Sequence, residues 1–297
     1  MNKKRVLAFG ALFMLLGSLN LQSSGISSVA SMDQNTESEV YKYLGDGNRE
    51  YYAVICGIVT YETGSEEWPT PFNANDVFGM YAKLLEAEDW WHTENMRVLL
   101  NDSATKANIL DNISWLSEKA DRDDVVLFYF TGWGSHQGSE AYIRPYDAKY
   151  VDGEYDYAGM LSETELADAF NKVESKHVVI IFDCCWSGKM NKLAQKGGRA
   201  VLAAGGKYFM CMADEDPLLK HGIFTFYLLQ GLTGMADALY MGNRDGIVSA
   251  EEAFRFARPR TILHSFWYHL KKPKELPWPQ IPTMYDSCAG EISLIYL

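Results

Sequence analysis

The sequence lacks an excess of positive charge. It contains 27 Lys and Arg against 39 Asp and Glu, which gives a net charge of -12 at pH 7. Such a chain would repel a phosphate backbone, so we expect no nucleic-acid partner, whereas a basic peptide would be attracted. Internal repeats and low-complexity tracts are also missing, and 47% of the 297 residues are hydrophobic. This composition predicts one main domain with a sizeable core.

Several motifs that would define other functions are absent. No Cys-x-x-Cys pair and no His/Cys ligand spacing is present, which argues against a zinc site and against a thiol transferase. A Gly-x-Ser-x-Gly elbow, typical of α/β hydrolases, is missing as well. The segment 243–252 is similar to half of an EF-hand loop, but Met241 occupies the first ligand position. The sequence therefore predicts no cofactor, and it offers no motif for a calcium site.

The N-terminal segment is apolar but short for a transmembrane helix. Basic residues at positions 3–5 precede the apolar stretch 6–21, and small residues follow near position 30. This pattern is typical of a signal peptide, which we assign to 1–30, and it predicts an exported chain. An uncleaved signal anchor is the alternative, and no other membrane insertion is expected. Residues 31–48 are polar and predict a flexible lead-in or propeptide before a domain at 49–297.

Apolar runs alternate with helical patterns along this domain. Alternating strands and helices predict an α/β fold with a mostly parallel sheet that helices cover on both faces. The predicted strands are 51–59, 96–100, one ending at Thr131, 178–183 and 208–212. Predicted helix starts are Asn75 or Asp76, Ser103, the capping boxes Ser162–Glu165 and Ser249–Glu252, and Ile223.

Two of the apolar runs end in a polar turn that contains glycine. One continues into Asp183-Cys184-Cys185-Trp186-Ser187-Gly188, and the other into Gly132-Trp133-Gly134-Ser135-His136. The carboxyl ends of neighbouring parallel strands meet at the rim where open α/β sheets hold ligands. Cys185 is therefore a candidate nucleophile with His136 as its base, and the alternative is a structural thiol. Cys184 should point to the other side and be buried. Backbone N–H groups of Gly134 and Cys185 could form an oxyanion hole.

These two motifs resemble those of the caspase-like cysteine peptidases, most closely the metacaspase-type and prokaryotic branches. Members carry Tyr-Ser-Gly-His-Gly at the first strand end and Asp-x-Cys-x-Ser-Gly at the second. The second motif is complete here, whereas Trp133 occupies the position of the family's catalytic His. The resemblance covers roughly residues 50 to 297. It implies a three-layer α/β/α caspase-like fold with about six strands and a cysteine endopeptidase activity.

The resemblance also implies a pocket for basic side chains. In metacaspases, the acid before Cys-x-Ser-Gly and an acid at an Asn-Asp helix start together line the primary specificity pocket. Asp183 and Asp76 match these positions. Two carboxylates would hold Arg or Lys by charge-assisted hydrogen bonds, so the expected partners are peptides or proteins with basic residues. The alternatives are a plain helix cap for Asp76 and a strand-end acid without a pocket role for Asp183.

The sequence leaves alternatives for the catalytic activity, for calcium dependence and for processing. The chain could be a peptidase in which His136 replaces the usual base, or an inactive relative that binds basic peptides. Some metacaspases depend on calcium, which leaves calcium dependence possible. The basic segment 189–199 could be a processing site, although a solvated loop is the simpler interpretation. The remaining histidines are expected to be surface or packing residues: His92, His177, His221, His264 and His269.

Overall fold

The computed structural model describes residues 45–63, 70–207, 215–238, 240, 242–271 and 279–297. The predicted signal peptide and nearly all of the lead-in lie outside these residues. So do the predicted strand at 208–212 and Met241. Within the described chain, no helix is both long enough and apolar enough to cross a bilayer.

A six-stranded sheet forms the centre of the domain, in the order β14-β10-β9-β3-β1-β2. Five neighbouring strands run parallel, and β14 closes one edge in the antiparallel direction. The strands are β1 (Tyr51–Gly57), β2 (Met96–Leu100), β3 (Val125–Thr131), β9 (His177–Asp183), β10 (Arg199–Ala203) and β14 (Thr283–Asp286).

Alternation along the central strands builds two separate cores. In β1, Ala53 and Ile55 face one core, whereas Val54 and Cys56 face the other. The central strands are buried on both faces, as expected for strands inside a parallel sheet. This explains why their sequences read as continuous apolar runs and confirms the three-layer α/β/α prediction.

Six helices flank this sheet in the described part of the chain. They are α1 (Asn73–Leu85), α2 (Lys106–Lys119), α3 (Glu163–Phe170), α4 (Ile223–Gln230), α5 (Ala236–Ala238) and α6 (Ala250–Leu270). Helices α1, α4 and α6 cover one face, and α2 and α3 cover the other. The remaining strands form small sheets outside the centre. These are β4 (Gly134–Gln137), β5 (Glu140–Ile143), β6 (Tyr150–Val151), β7 (Glu154–Tyr155), β8 (Leu161–Ser162), β11 (Glu215–Asp216), β12 (His221–Gly222), β13 (Ile247–Ser249) and β15 (Ser293–Tyr296).

Local capping signals locate some of the helix starts correctly and miss others. Both predicted capping boxes form, before α3 and before α6. Helix α2 begins two residues later than predicted, because Thr105 rather than Ser103 caps it. Helix α1 begins earlier, at Asn73, whose side-chain amide donates to the carbonyl of Ile58 at 2.8 Å. Asp76 therefore lies in the first turn, and its interpretation as the helix cap is wrong.

The basic segment 189–199 is more ordered than a solvated loop. Short 3-10 turns occupy Ser187–Lys189 and Lys192–Ala194. The ammonium group of Lys196 donates to the carbonyl oxygens of Asn171 and Val173. Arg199 begins β10, is fully buried and donates to the carbonyl of Leu193. These contacts fix both residues against α3 and the turn that follows it.

Candidate active site

The adjacent cysteines at the end of β9 lie in different environments. Cys184 is fully buried in the core on the α2–α3 face, and this burial raises the pKa of its thiol well above the ordinary value. Cys185 is partly exposed. Alternation after a strand end accounts for the difference, as the sequence predicted. Only Cys185 therefore offers its thiol at the rim of the sheet. None of the four cysteines described here forms a disulfide.

A tight turn follows Cys185 and fixes the loop. Trp186 adopts a left-handed conformation, with φ of 61°. The hydroxyl of Ser187 accepts a hydrogen bond from the backbone N–H of Gly205 at 3.0 Å. Gly188 packs directly on the backbone of Gly205 and Gly206, where a Cβ atom would lie 2.4 Å from the Gly205 oxygen. The Ser-Gly pair of the motif is thus needed to dock this loop on the chain after β10.

Gly134 allows strand β4 to pack closely against the backbone of Cys185. A Cβ atom at Gly134 would lie 2.0 Å from the carbonyl oxygen of Cys185 and 3.0 Å from the Sγ of Cys184. No other residue fits this approach without moving the backbone. Residues i and i+2 of a strand share a face, so His136 projects from the same face of β4 as this contact. The backbone of Gly134 and the side chain of His136 are thereby directed toward the loop of Cys185.

The structure places His136 beside Trp186, the residue that follows Cys185. The two rings have centroids 3.8 Å apart. The Nδ1 atom of His136 lies 3.2 Å from the carbonyl oxygen of Gly138, to which it can donate. The side chain is partly exposed. His136 is thus part of the rim that carries the thiol.

The Trp133 side chain packs in an aromatic cluster. Its ring centroid lies 6.4 Å from that of Tyr61 and 6.2 Å from that of Tyr155. Its backbone N–H donates to the hydroxyl of Tyr61 at 2.6 Å. The guanidinium of Arg144 lies 4.3 Å from the Tyr61 ring and contributes a cation–π contact. The position of the family's catalytic His is therefore occupied by a packed indole.

Asp183 and Asp76 meet at the backbone of Gly222. A Cβ atom at Gly222 would lie 2.5 Å from the Oδ2 of Asp183 and 3.2 Å from the Oδ2 of Asp76. Both aspartates are buried. The Oδ2 of Asp183 accepts hydrogen bonds from the backbone N–H of Thr225 at 3.1 Å and from its hydroxyl at 2.7 Å. The structure thus brings together the two acids that the sequence singled out.

Asp76 also binds a histidine that the sequence did not single out. Its Oδ1 lies 2.7 Å from the Nδ1 of His221, and its Oδ2 accepts the N–H of Gly222 at 3.1 Å. Burial raises the pKa of Asp76, and the contacts with His221 and Gly222 oppose this rise. The partners are 145 positions apart in the chain, so no local pattern reveals the pair.

A third carboxylate, Glu215, was also missed. Its Oε1 accepts the backbone N–H of Phe72 at 3.3 Å. Burial, together with the negative charges of Asp76 and Asp183, raises the pKa of Glu215 to about 8. Glu215 directly follows the residues that the structure leaves undescribed, and its sequence context carries no motif.

A separate group of carboxylates could hold a metal ion at another place in the fold. Among the described residues, Asp46, Asp121 and Asp123 bring oxygen atoms within 4.8 Å of one another. Backbone N–H groups of the same loops already bind them: Asp46 donates to Asp121, and Gly47 to Asp123. This group precedes β3, at the opposite end of the sheet from Cys185.

Comparisons with known proteins agree with this geometry. A family model described as "Metacaspase, peptidase C14 domain" matches residues 53–194. The solved structure of Caspase-1 from Spodoptera frugiperda has a TM-score of 0.59 and 11% identity, covering 84% of this chain and 90% of that chain. The fold is therefore similar to that of a caspase, and residues 53–194 resemble the metacaspase peptidase domain. The strands that hold Cys185 and Trp133 lie inside the matched region, whereas Glu215 and His221 lie beyond it.

Curated metacaspases are similar to parts of this chain. Metacaspase III c of Phaeodactylum tricornutum (strain CCAP 1055/1) is 27% identical over 235 residues, which are 73% of this chain and 64% of that protein. Metacaspase-1 of Schizosaccharomyces pombe (strain 972 / ATCC 24843) is 27% identical over 176 residues, 52% of this chain and 40% of that protein. Inactive metacaspase-4 of Trypanosoma brucei brucei is 30% identical over 89 residues, 29% of this chain and 25% of that protein. The match thus spans less than two thirds of each of these relatives.

Proposed function

We propose that this metacaspase-like chain is an exported cysteine endopeptidase that cleaves after Arg or Lys. The observation that carries the proposal is the meeting of two buried carboxylates, Asp76 and Asp183, at the backbone of Gly222. Buried carboxylates are costly unless a cation or hydrogen-bond donors balance them, and the long side chains of Arg and Lys supply both. Asp183 is two residues from Cys185. A substrate side chain bound by Asp183 would therefore bring the carbonyl of the same substrate residue close to the thiol.

In the proposed reaction, the sulfur of Cys185 attacks the carbonyl carbon of the basic residue. The thiolate is the nucleophile, so a base must take the proton of the thiol. His136 is the proposed base: with its Nδ1–H donating to Gly138, the lone pair of a neutral ring is on Nε2. The protonated imidazole then donates to the leaving amine, and water releases the thioester with the same base. Backbone N–H groups of Gly134 and Cys185 are the proposed oxyanion donors.

A second function is favoured by Trp133. The indole fills the family's His position and packs between Tyr61 and Tyr155. One relative carries the name "Inactive metacaspase-4", which gives a precedent for a chain of this kind without activity. In this alternative, the acidic pocket binds basic peptide segments and no bond is cleaved.

Fluorogenic peptides that end in Arg, Lys or Asp distinguish the two functions. We expect the purified protein to cleave after Arg and Lys only, and to lose this activity in Cys185→Ala and in His136→Ala. Cys288→Ala, which changes another partly exposed thiol, and His92→Ala, which changes an exposed imidazole, are matched controls and should keep it. Full activity in His136→Ala would refute the proposed base. No turnover, with binding of a basic peptide that weakens in Asp183→Asn, would favour the binding function.

The proposed export rests on the first 30 residues. Basic residues at positions 3–5 and the apolar stretch 6–21 have the pattern of a signal peptide. To test export, the full chain is expressed and the N-terminus of the protein found outside the cytoplasm is sequenced. A mature N-terminus near residue 31 supports export, and an intact N-terminus in the membrane fraction supports the signal anchor.

A further inference from the structure

The C-terminal half of α6 carries a strip of exposed, large apolar side chains. They are between 41% and 59% exposed and recur at helical spacing: Leu263, Phe266, Trp267 and Leu270. Residues three and four positions apart share one face of a helix, so the four side chains form a continuous strip. The described part of the chain leaves this strip uncovered. Large apolar patches on a protein surface mark sites of interaction.

The tip of the β11–β12 hairpin extends this strip. Leu218 lies at the tip and is 90% exposed. Together with Leu263 and Trp267, it lines one open cleft of about 590 Å³ between the hairpin, α4 and α6. Pockets for small ligands enclose most of the ligand, whereas Leu218 and Trp267 stand out from the surface. We call the following five residues the apolar patch: Leu218, Leu263, Phe266, Trp267 and Leu270.

The border of the apolar patch is positively charged. Arg260 lies one turn before the strip and Lys271 directly follows it, and both line the cleft. Lys220 is exposed at the hairpin tip. The segments 217–236 and 253–271 form the hairpin tip, α4 and most of α6. They contain no Asp or Glu, in a chain with 39 of them. The patch is therefore a locally basic surface on an acidic protein.

The carboxylate that lines the cleft is already bound. The Oδ2 of Asp216 lies 2.8 Å from the Nε2 of His264. The Nδ1 of His264 lies 3.0 Å from the hydroxyl of Tyr227, and Asp216 itself is buried. These three polar groups satisfy one another beneath the apolar patch and connect the hairpin to α6 and α4. Among the lining residues, the charged groups left for a partner are cations.

We propose that the apolar patch docks this protein on the surface of a lipid bilayer that contains anionic lipids. The Trp and Leu side chains would enter the boundary between headgroups and acyl chains, where tryptophan is enriched. The bordering Lys and Arg side chains would reach the anionic headgroups. A helix that binds in this way lies on the bilayer and does not span it. This inference does not depend on the proposed peptidase activity.

A second copy of the chain fits the apolar patch less well. In a twofold contact the patch meets the same patch of the other copy, so the basic border would face itself. Charges more than about 10 Å apart are largely screened at physiological ionic strength. The local cations therefore decide the contact, rather than the net charge of -12. They repel a second copy of the patch and attract anionic headgroups.

Sedimentation with vesicles tests the inference in the full chain. Leu12→Asp and Leu16→Asp are introduced first, because the apolar stretch 6–21 would bind lipid by itself. We expect this parent to sediment with vesicles made of equal parts of phosphatidylcholine and phosphatidylglycerol. It should sediment less with phosphatidylcholine alone and less at high salt. Trp267→Ser and Leu218→Ser should each lower the partition coefficient about tenfold.

Two further variants separate the apolar and the charged contributions. Phe78→Ser changes a side chain of α1 that is 55% exposed, close to the 56% of Trp267, and lies outside the cleft. This matched control should bind like the parent. Arg260→Gln combined with Lys271→Gln should lower binding to the mixed vesicles by about tenfold or more. Binding of this double variant to phosphatidylcholine alone should not change.

Each contrary result has a defined meaning. A parent that stays in solution with the mixed vesicles overturns the inference and leaves the patch to a soluble partner. Unchanged binding of Trp267→Ser, or an equal loss in Phe78→Ser, also overturns it. A dimer in light scattering that Trp267→Ser dissociates would assign the patch to a second copy instead. If Trp267→Ser does not fold, Leu218→Ser decides, because a side chain that is 90% exposed contributes little to the fold.

Discussion

Because Gly222 lies so close to two carboxylates, we expect a single added methyl group at this position to destabilise the protein. Gly222 has φ of -58° and ψ of 136°, a conformation that alanine adopts without strain. Gly222→Ala therefore changes only the space around the Cβ atom. That atom would lie 2.5 Å from the Oδ2 of Asp183, well inside van der Waals contact. Asp183 must move, although its Oδ2 is held by two hydrogen bonds from Thr225.

The expected change in the free energy of unfolding is the sum of two opposing contributions. Overpacking a buried site costs about 1–3 kcal/mol, and the displaced carboxylate weakens two charge-assisted hydrogen bonds. The loss of chain freedom in the unfolded state returns about 0.4–1 kcal/mol. We expect Gly222→Ala to lower the free energy of unfolding by about 1–2 kcal/mol, measured by urea denaturation at pH 7.

A matched glycine provides the control. Gly197→Ala places a Cβ atom whose nearest neighbour is 3.9 Å away, so we expect no loss of stability there. Equal stability of Gly222→Ala and Gly197→Ala would refute the close approach of the hairpin to the acids. This outcome does not depend on any activity of the protein, which makes the experiment a test of the pocket geometry alone.

Three further predictions concern other parts of the molecule. Under native conditions, a thiol reagent should modify Cys185 and leave the buried Cys184 unmodified until the protein unfolds. Peptide mass mapping measures this, and modification of Cys184 in the folded protein would contradict its burial. Burial raises the pKa of Glu251 to about 7, above the value near 4.3 of an unfolded chain, so the unfolding free energy should fall as pH rises from about 4.3 to 7. Glu251→Gln should reduce this fall, and an unchanged pH slope in urea denaturation would count against the buried acid. Arg144→Met removes two hydrogen bonds to Ala148 and a cation–π contact, and should cost about 2–4 kcal/mol of unfolding free energy; a loss below about 1 kcal/mol would be inconsistent with its buried position.

The fold could be predicted because its signals are local and repeated. Continuous apolar runs predicted the central strands β1, β3 and β9, and the edge strand β2 was predicted as well. The capping boxes at Ser162 and Ser249 were also predicted, since both partners lie within four residues. Ser103 and Thr105 carry the same hydroxyl chemistry two positions apart, and the sequence offered no way to choose between them.

The pocket could be predicted only in part, because its residues come from distant segments. Asp183 and Asp76 were identified through a family motif, whereas no spacing rule leads to Glu215 or His221. The β11–β12 hairpin brings both residues to the pocket, and it begins at Glu215, beyond the predicted strand 208–212, which lies outside the described residues. Nothing in the sequence shows that Asp76 and His221 are partners, because tertiary folding alone brings them within 2.7 Å.

The order of the sheet has a consequence for synthesis on the ribosome. The chain is made from its N-terminus, and domains fold as units once their segments are available. Asp76 and Cys185 emerge before the hairpin that completes the acidic pocket, and β14, which covers the edge of β10, emerges later still. A nascent chain that already contains Cys185 thus lacks part of the acidic pocket. The topology thus completes the acidic pocket only after the segment that carries Cys185 has been made.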